Sequence, residues 1–220
     1  MRKQPIITGE YYHIYNRGVD KRDIFKDKKD LLRFIESVRE FNRIDGVVSL
    51  ANLRKTETES KLSSKPLVLI VVYCFNPNHF HFILKQLVDD GIAKFMQKLQ
   101  AGYTYYFNVK NSRSGALFQG PFKSHHIGNE NYFNKIIGYI NKNYQVHNIP
   151  KNKINFVFAS DREYENNTFQ VVSKEEGERI LGVFNGSKNF KKHCDEIVSI
   201  IREERGKTSL SEEDNLPDRA

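Results

Sequence analysis

The stretch PLVLIVVYCFNPNHFHFILKQ, Pro66 to Gln86, constrains the fold more than any other part of the chain. Two runs rich in β-branched and aromatic residues, Leu67 to Phe75 and His79 to Gln86, are joined by Asn-Pro-Asn, residues that favour a tight reversal. The pattern predicts an antiparallel hairpin. The first run is apolar throughout, as in a fully buried strand, and reaches only about half the ~20 residues a membrane-spanning helix needs. In the second, alternate side chains turn to opposite faces. His79 and His81 therefore share one face, while Phe80, Phe82 and Leu84 turn to the other, into a core. Two imidazoles side by side on a sheet face can grip a metal ion; they can equally be ordinary polar residues on a wet face.

The flanking segments complete the architecture. YYHIYNRG, Tyr11 to Gly18, reads as a strand closing on a glycine turn. Asp27 is placed to cap a helix over 27–44 that carries Leu31, Leu32, Phe34, Ile35 and Val38 on one stripe. Residues 53–66 are polar and read as a mobile loop. A second helix over 89–111 repeats Ile92, Phe95, Met96, Leu99, Tyr103 and Tyr106 at spacings of three and four. The loop SRSGALFQGPF leads to a short strand over 122–127, and a third helix runs from about Asn129 to Gln145. The order β-α-β-β-α-β-α predicts an α+β fold, a ferredoxin-like antiparallel sheet with helices packed on one face. Residues 151–206 read as a helical C-terminal extension, a loop FVFASDREYENN followed by helices at 174–184 and 190–204; residues 207–220 read as a disordered tail.

Charge narrows the partner. Lysine and arginine number 35 against 27 acids, a net +8 that favours a polyanion such as nucleic acid. Cys74 and Cys194, with no CxxC pair, exclude a disulfide framework and a cysteine zinc site, and point to a reducing compartment. MRKQPIITGEYY lacks the apolar core of a signal peptide, so a cytoplasmic protein away from membranes is expected.

The third helix adds to the histidine pair. In YINKN, Tyr139 and Asn143 stand four residues apart and share a helix face. Asn143 offers an amide oxygen, a hard ligand suited to Mg²⁺ or Mn²⁺ beside two imidazoles, and Tyr139 a phenolic oxygen one turn earlier. Without the histidines, Tyr139 would read as a buried aromatic beside Ile136, Ile137 and Ile140. His13 reads as a sheet-face residue, and the adjacent His125 and His126 point to opposite faces.

His79-Phe80-His81 at the start of a strand, followed by a helix bearing Tyr139 and Asn143, resembles the histidine–hydrophobic–histidine (HUH) endonuclease superfamily. Within it the chain is most similar to the single-tyrosine transposases, especially the REP-associated tyrosine transposase branch. YYHIYNRGVDKRDIF, NPNHFHFIL, LFQGPFK and YINKN stand in the matching order over about Gly9 to Pro150. The insertion-sequence relatives usually carry glutamine where Asn143 stands, and the REP-associated branch asparagine. The resemblance implies a catalytic domain over residues 1–150 that cleaves and joins single-stranded DNA beside a hairpin. It implies His79, His81 and Asn143 as ligands of Mg²⁺ or Mn²⁺, and Tyr139 as the nucleophile that leaves a covalent 5′-phosphotyrosine and a free 3′-hydroxyl. It also implies a monomer or a homodimer. The chemistry suits these residue types. A phenol of pKa near 10 needs an activating environment. Neutral ligands leave a divalent ion its full charge to polarise a phosphate. A covalent link conserves the broken bond for rejoining.

Basic residues near these motifs are the candidate DNA contacts: Arg17, Lys21 and Arg22 after the first strand, Lys110 and Arg113 around the later loop, and Lys123. Tyr103, Tyr105 and Tyr106 are candidates for base stacking. Other classes fit less well. A histidine-triad hydrolase needs histidine where Ile83 stands, a metallo-β-lactamase-type enzyme needs Asp and His where the chain reads FILKQ, and no GxxxxGK[ST] marks a helicase. The alternative kept open is a domesticated relative that binds single-stranded DNA or RNA hairpins without cutting them.

Overall fold

In the computed structural model, residues 5–45, 65–147 and 149–207 are described. Of the loop expected over 53–66 only Lys65 and Pro66 fall within them, and of the tail over 207–220 only Lys207. The apolar hairpin forms as the sequence predicts: β2 (Val68–Asn76) and β3 (His79–Gln86) pair antiparallel, with Phe75 opposite Phe80 and Asn76 opposite His79. β1 (Tyr11–Arg17) lies on the other side of β3, β4 (Lys123–His126) outside β1, and β5 (Phe158–Ala159) outside β2. The five strands run in the order β4-β1-β3-β2-β5, with every neighbour antiparallel. The first four have the ferredoxin-like order.

Register decides what meets on each face. Opposed residues in an antiparallel pair point the same way. Lys123, Tyr15, His81 and Cys74 are therefore one row across four strands, and Arg17, His79 and Asn76 the next. Phe80 and Phe82 turn to the opposite face, where they meet α1 (Lys28–Phe41) through Phe34, at 5.6 Å from Phe80, and α2 (Gly91–Lys110) through Phe95, at 6.2 Å from Phe82. Asp27 caps α1 as expected, accepting from the Asp30 N–H at 3.0 Å. Leu31, Phe34, Ile35 and Val38 are buried, but Leu32 is 54% exposed, because it stands a full 100° around the helix from Leu31.

Helices cover both faces of the sheet, not one. Val72 and Cys74 on the histidine side of β2 are as fully buried as the phenylalanines behind them, and they need a cover. α3 (Glu130–Asn141), capped by Asn129, supplies it, with Tyr139 meeting His81 edge to face at 5.9 Å. The third helix is not continuous. It breaks at Lys142 (φ −125°, ψ 30°), whose ammonium is buried and paired with Asp195, and α4 (Asn143–Val146) follows. FVFASDREYENN, read as a loop, holds β5 and α5 (Asp161–Asn166). β5 adds to the edge of β2, and this long-range pairing leaves no local signature in so short a segment. Glu163 of α5 is held inside by Tyr73 O–H at 2.6 Å and the N–H groups of Gln170 and Val172. α6 (Lys174–Val183) and α7 (Ser187–Lys207) end the described chain. No helix among the described residues is long and apolar enough to cross a membrane.

α7 lies along α3. Its buried stripe Phe190, Cys194, Val198 and Ile201 recurs every three or four residues. Gly138 allows the close approach, since a Cβ there would stand 2.9 Å from Ile197 Cγ1. His193 bonds the Asn134 carbonyl at 2.8 Å, and the Asn141 amide donates to Cys194 Sγ at 3.5 Å.

Candidate metal and nucleophile site

On the histidine face, an open cavity of about 190 Å³ is bounded by β1, β3, α3, the residue after α4 and the end of α7. His79, His81, Tyr139 and His147 line it, together with Arg17, Lys21, Lys123 and Arg205. Asn143 is buried directly behind it, its Oδ1 3.2 Å from His79 Nε2. All four residues expected at the chemical centre thus come together, even though the helix break places Tyr139 and Asn143 on different helices.

Second partners orient the imidazoles. His79 Nδ1 lies 2.6 Å from Asn78 Oδ1, an atom that can only accept, so the proton is on Nδ1 and the Nε2 lone pair is left for the site. His81 Nδ1 is engaged at 2.9 Å by His13 Nε2, which leaves Nε2 of His81 as its outward atom. His13 is fully buried, and its ring packs against both Tyr15, at 4.8 Å, and His81, at 5.1 Å. Burial, the largest cause in each case, lowers the imidazoles: His79 to about 4, His147 and His13 to about 3, and His81 well below its ordinary value. Neutral imidazoles are the form a metal ion requires.

The sequence motifs do not single out His147, although it follows Tyr139 and Asn143 at a further interval of four. One ligand atom from each of His79, His81 and His147 lies within 4.8 Å of the others. A metal ion fits the chemistry of this donor set, three neutral imidazoles with ligand atoms this close together. Asn143 Oδ1 and His79 Nε2 both accept from Asn76 Nδ2, at 2.7 and 2.8 Å. Tyr139 is buried, which pushes its phenol up to about 12, against the pull of the Arg205 guanidinium and the Asn143 amide. Its oxygen lies 3.5 Å from His147 Nε2.

The basic residues separate into two groups. Arg17, Lys21 and Lys123 line the cavity, with Arg17 bonded to Gln119 and Lys123 Nζ 5.7 Å over the Tyr15 ring. Arg22, Lys110 and Arg113 do not line it. Arg22 donates to the Val19 carbonyl at 2.9 Å and pairs with Asp20. Lys110 is held by Asp27 at 2.7 Å and Asp30 at 2.6 Å. Arg113 bonds Asn108 and the Ala116 carbonyl, beside a wide groove between α2 and the 112–120 loop. Of the three tyrosines considered for stacking, Tyr103 is in the core with its O–H on the Ile24 carbonyl at 2.6 Å. Tyr106 bonds Asp30, and Tyr105 is 75% exposed on that groove. His125 faces the site side and stacks on Tyr15, while His126 turns away to Glu10, as adjacent strand residues must.

The fold has a counterpart among solved structures. A REP-associated tyrosine transposase bound to a REP hairpin superposes with a TM-score of 0.51, over 79% of this chain and 89% of that one. This chain has the transposase fold. At 16% identity the likeness is one of fold. A second structure, the tRNA(His) guanylyltransferase of Saccharomyces cerevisiae, aligns at a TM-score of 0.37 and 11% identity over 92% of this chain and 82% of that one, too loose a match to carry an argument. No protein-family model and no curated protein matches the chain.

Proposed function

We propose that this chain is a metal-dependent single-stranded DNA endonuclease and strand-transferase acting beside DNA hairpins, with residues 1–150 as its catalytic part and 151–206 as a helical extension. The observation that carries this reading is the composition of one cavity: convergent neutral histidines, the phenols of Tyr139 and Tyr15, and Arg17, Lys21, Lys123 and Arg205, with no carboxylate among the described lining residues. Such a lining suits a phosphodiester, and a phenol nucleophile distinguishes strand transfer from hydrolysis.

In this reading Tyr139 Oη attacks the scissile phosphorus, the bond from phosphorus to O3′ breaks, and the DNA 5′ end stays on the protein as a phosphotyrosine. The departing 3′ oxygen ends as a hydroxyl, and the phenol's proton leaves through the open mouth of the cavity. Attack by a 3′-hydroxyl on the phosphotyrosine reverses the step and joins strands. His79, His81 and Asn143 would hold Mg²⁺ or Mn²⁺. His147 adds a third imidazole, and of the two ions Mn²⁺ takes such a donor set more readily. When bound, the ion supplies polarisation of the phosphate. His147 suits the ligand role better than that of a base, because an imidazole near 3 is a poor acceptor for a phenol near 12. Arg17, Lys21 and Lys123 would grip the backbone phosphates.

The test is a denaturing gel for a covalent adduct, with Mn²⁺ and labelled single-stranded hairpins drawn from the flanks of the protein's own gene. The wild type should give an adduct, and Tyr139→Phe should give none while keeping its fold. Hairpin binding without any adduct would favour the domesticated binding protein instead.

A further inference from the structure

The buried stripe of α7, Phe190, Cys194, Val198 and Ile201, has its next position at residue 205, and there the apolar series gives way to arginine. The helix is held against α3 by the His193, Cys194 and Ile197 contacts and by the Asp195–Lys142 pair, so where its last turn lies is set by packing. That turn brings two arginines to the end of α4. Arg202 is exposed and gives its guanidinium to the Gln145 carbonyl at 2.6 and 3.2 Å. Arg205 gives Nη1 to the Val146 carbonyl at 3.2 Å and hydrogen-bonds the Tyr139 phenol, and its buried Nε has no partner among the described residues. A guanidinium has five N–H donors. The rest of this one faces the cavity, beside Tyr139 and His147.

We propose that Arg205 is a catalytic residue supplied by the C-terminal helix, a direct ligand of the DNA phosphate that Tyr139 attacks. The inference rests on the reading of the cavity as a phosphodiester site. A planar fork suits two phosphate oxygens at once, which a lysine cannot match. Helix capping alone does not account for Arg205, because that role occupies one nitrogen and Arg202 performs it a turn earlier. The extension is on this view a working part of the site: α7 delivers a positive charge beside Tyr139 and His147, while Arg17 and Lys123 enter from β1 and β4.

The experiment compares wild type, Arg205→Gln, Arg205→Lys and Arg202→Ala. Glutamine keeps a donor for the Val146 carbonyl and removes the charge, so it separates phosphate binding from capping. Binding of a fluorescent twelve-residue oligothymidylate is followed by anisotropy against salt. One lost phosphate contact should lower the slope of log K against log salt by about 0.7 and weaken binding about fivefold near 0.1 M. Arg205→Gln should show this loss, Arg205→Lys should keep the slope, and Arg202→Ala should match wild type. In the adduct assay at saturating hairpin DNA, Arg205→Lys should form adduct more slowly than wild type with little change in half-saturating concentration. A wild-type slope and adduct rate in Arg205→Gln would overturn the proposal, as would faster adduct formation in that variant. A wild type that binds the oligothymidylate but never forms adduct would defeat the cleavage reading while the slopes still decide whether Arg205 meets phosphate. A wild type that does not bind it at all would defeat both.

Discussion

His13 makes no contact with the cavity, yet removing it should weaken metal binding. His81 can offer Nε2 to an ion only with its own proton on Nδ1, and His13 Nε2 lies 2.9 Å away to accept it. Loss of such an outer partner costs about 10–100-fold in metal affinity, or about 1.4–2.8 kcal/mol. His13→Leu fills much of the same buried volume without an acceptor, so the Nδ1–H of His81 is stranded in the interior. That should destabilise the metal-free protein by about 2 kcal/mol, a fall of roughly 4–8 °C in Tm for a chain of this size. His13→Gln restores an amide oxygen near the former Nε2 and should recover most of both losses. Calorimetric titration with Mn²⁺ and thermal denaturation of chelator-treated protein read the two quantities separately. Wild-type Mn²⁺ affinity in a folded His13→Leu would refute the orientation argument, and with it Nε2 as the ligand atom of His81.

Three further outcomes follow from the same geometry. His147→Ala should lose about 10-fold or more in Mn²⁺ affinity, by the removal of one neutral donor; unchanged affinity with abolished adduct formation would transfer His147 to proton handling. The metal-free protein should lose stability as pH falls from about 6.5 toward 4. His13, His79, His81 and His147 stay neutral when folded while their unfolded forms take up protons. Each contributes nothing above pH 6.5 and up to about 2 kcal/mol of loss by pH 5, so equal urea midpoints at pH 7 and 5 would contradict the assigned burial. Gly138→Ala sets a helix-propensity gain of about 1 kcal/mol against overpacking of about 1–3 kcal/mol. The clash is with the branched base of Ile197 at 2.9 and 3.1 Å and not with a free side-chain end, so net destabilisation of about 1 kcal/mol is expected in urea unfolding. A stabilised variant would show that α3 and α7 are less tightly apposed.

The sequence by itself determined whatever depends on neighbours along the chain. The Asn-Pro-Asn reversal, the alternation that puts His79 and His81 on one face, the Asp27 cap and, Leu32 apart, the apolar stripes of α1 and α2 are all local patterns, and each appears where it was expected. Even the pairing of histidines with Tyr139 and Asn143 was legible, through resemblance to a known arrangement. Only the tertiary structure decided the rest. That His13 touches His81 follows from the β1–β3 register, which no spacing within either strand reveals. That Lys110 serves Asp27 and Asp30 instead of facing the cavity follows from how α1 and α2 meet. At the break, the buried ammonium of Lys142 pairs with Asp195 on a helix distant in sequence, and Arg205 enters the cavity because Gly138 lets α7 lie close along α3. Periodicity records which face of an element is buried. It cannot record against what, because that depends on contacts between segments far apart in the chain.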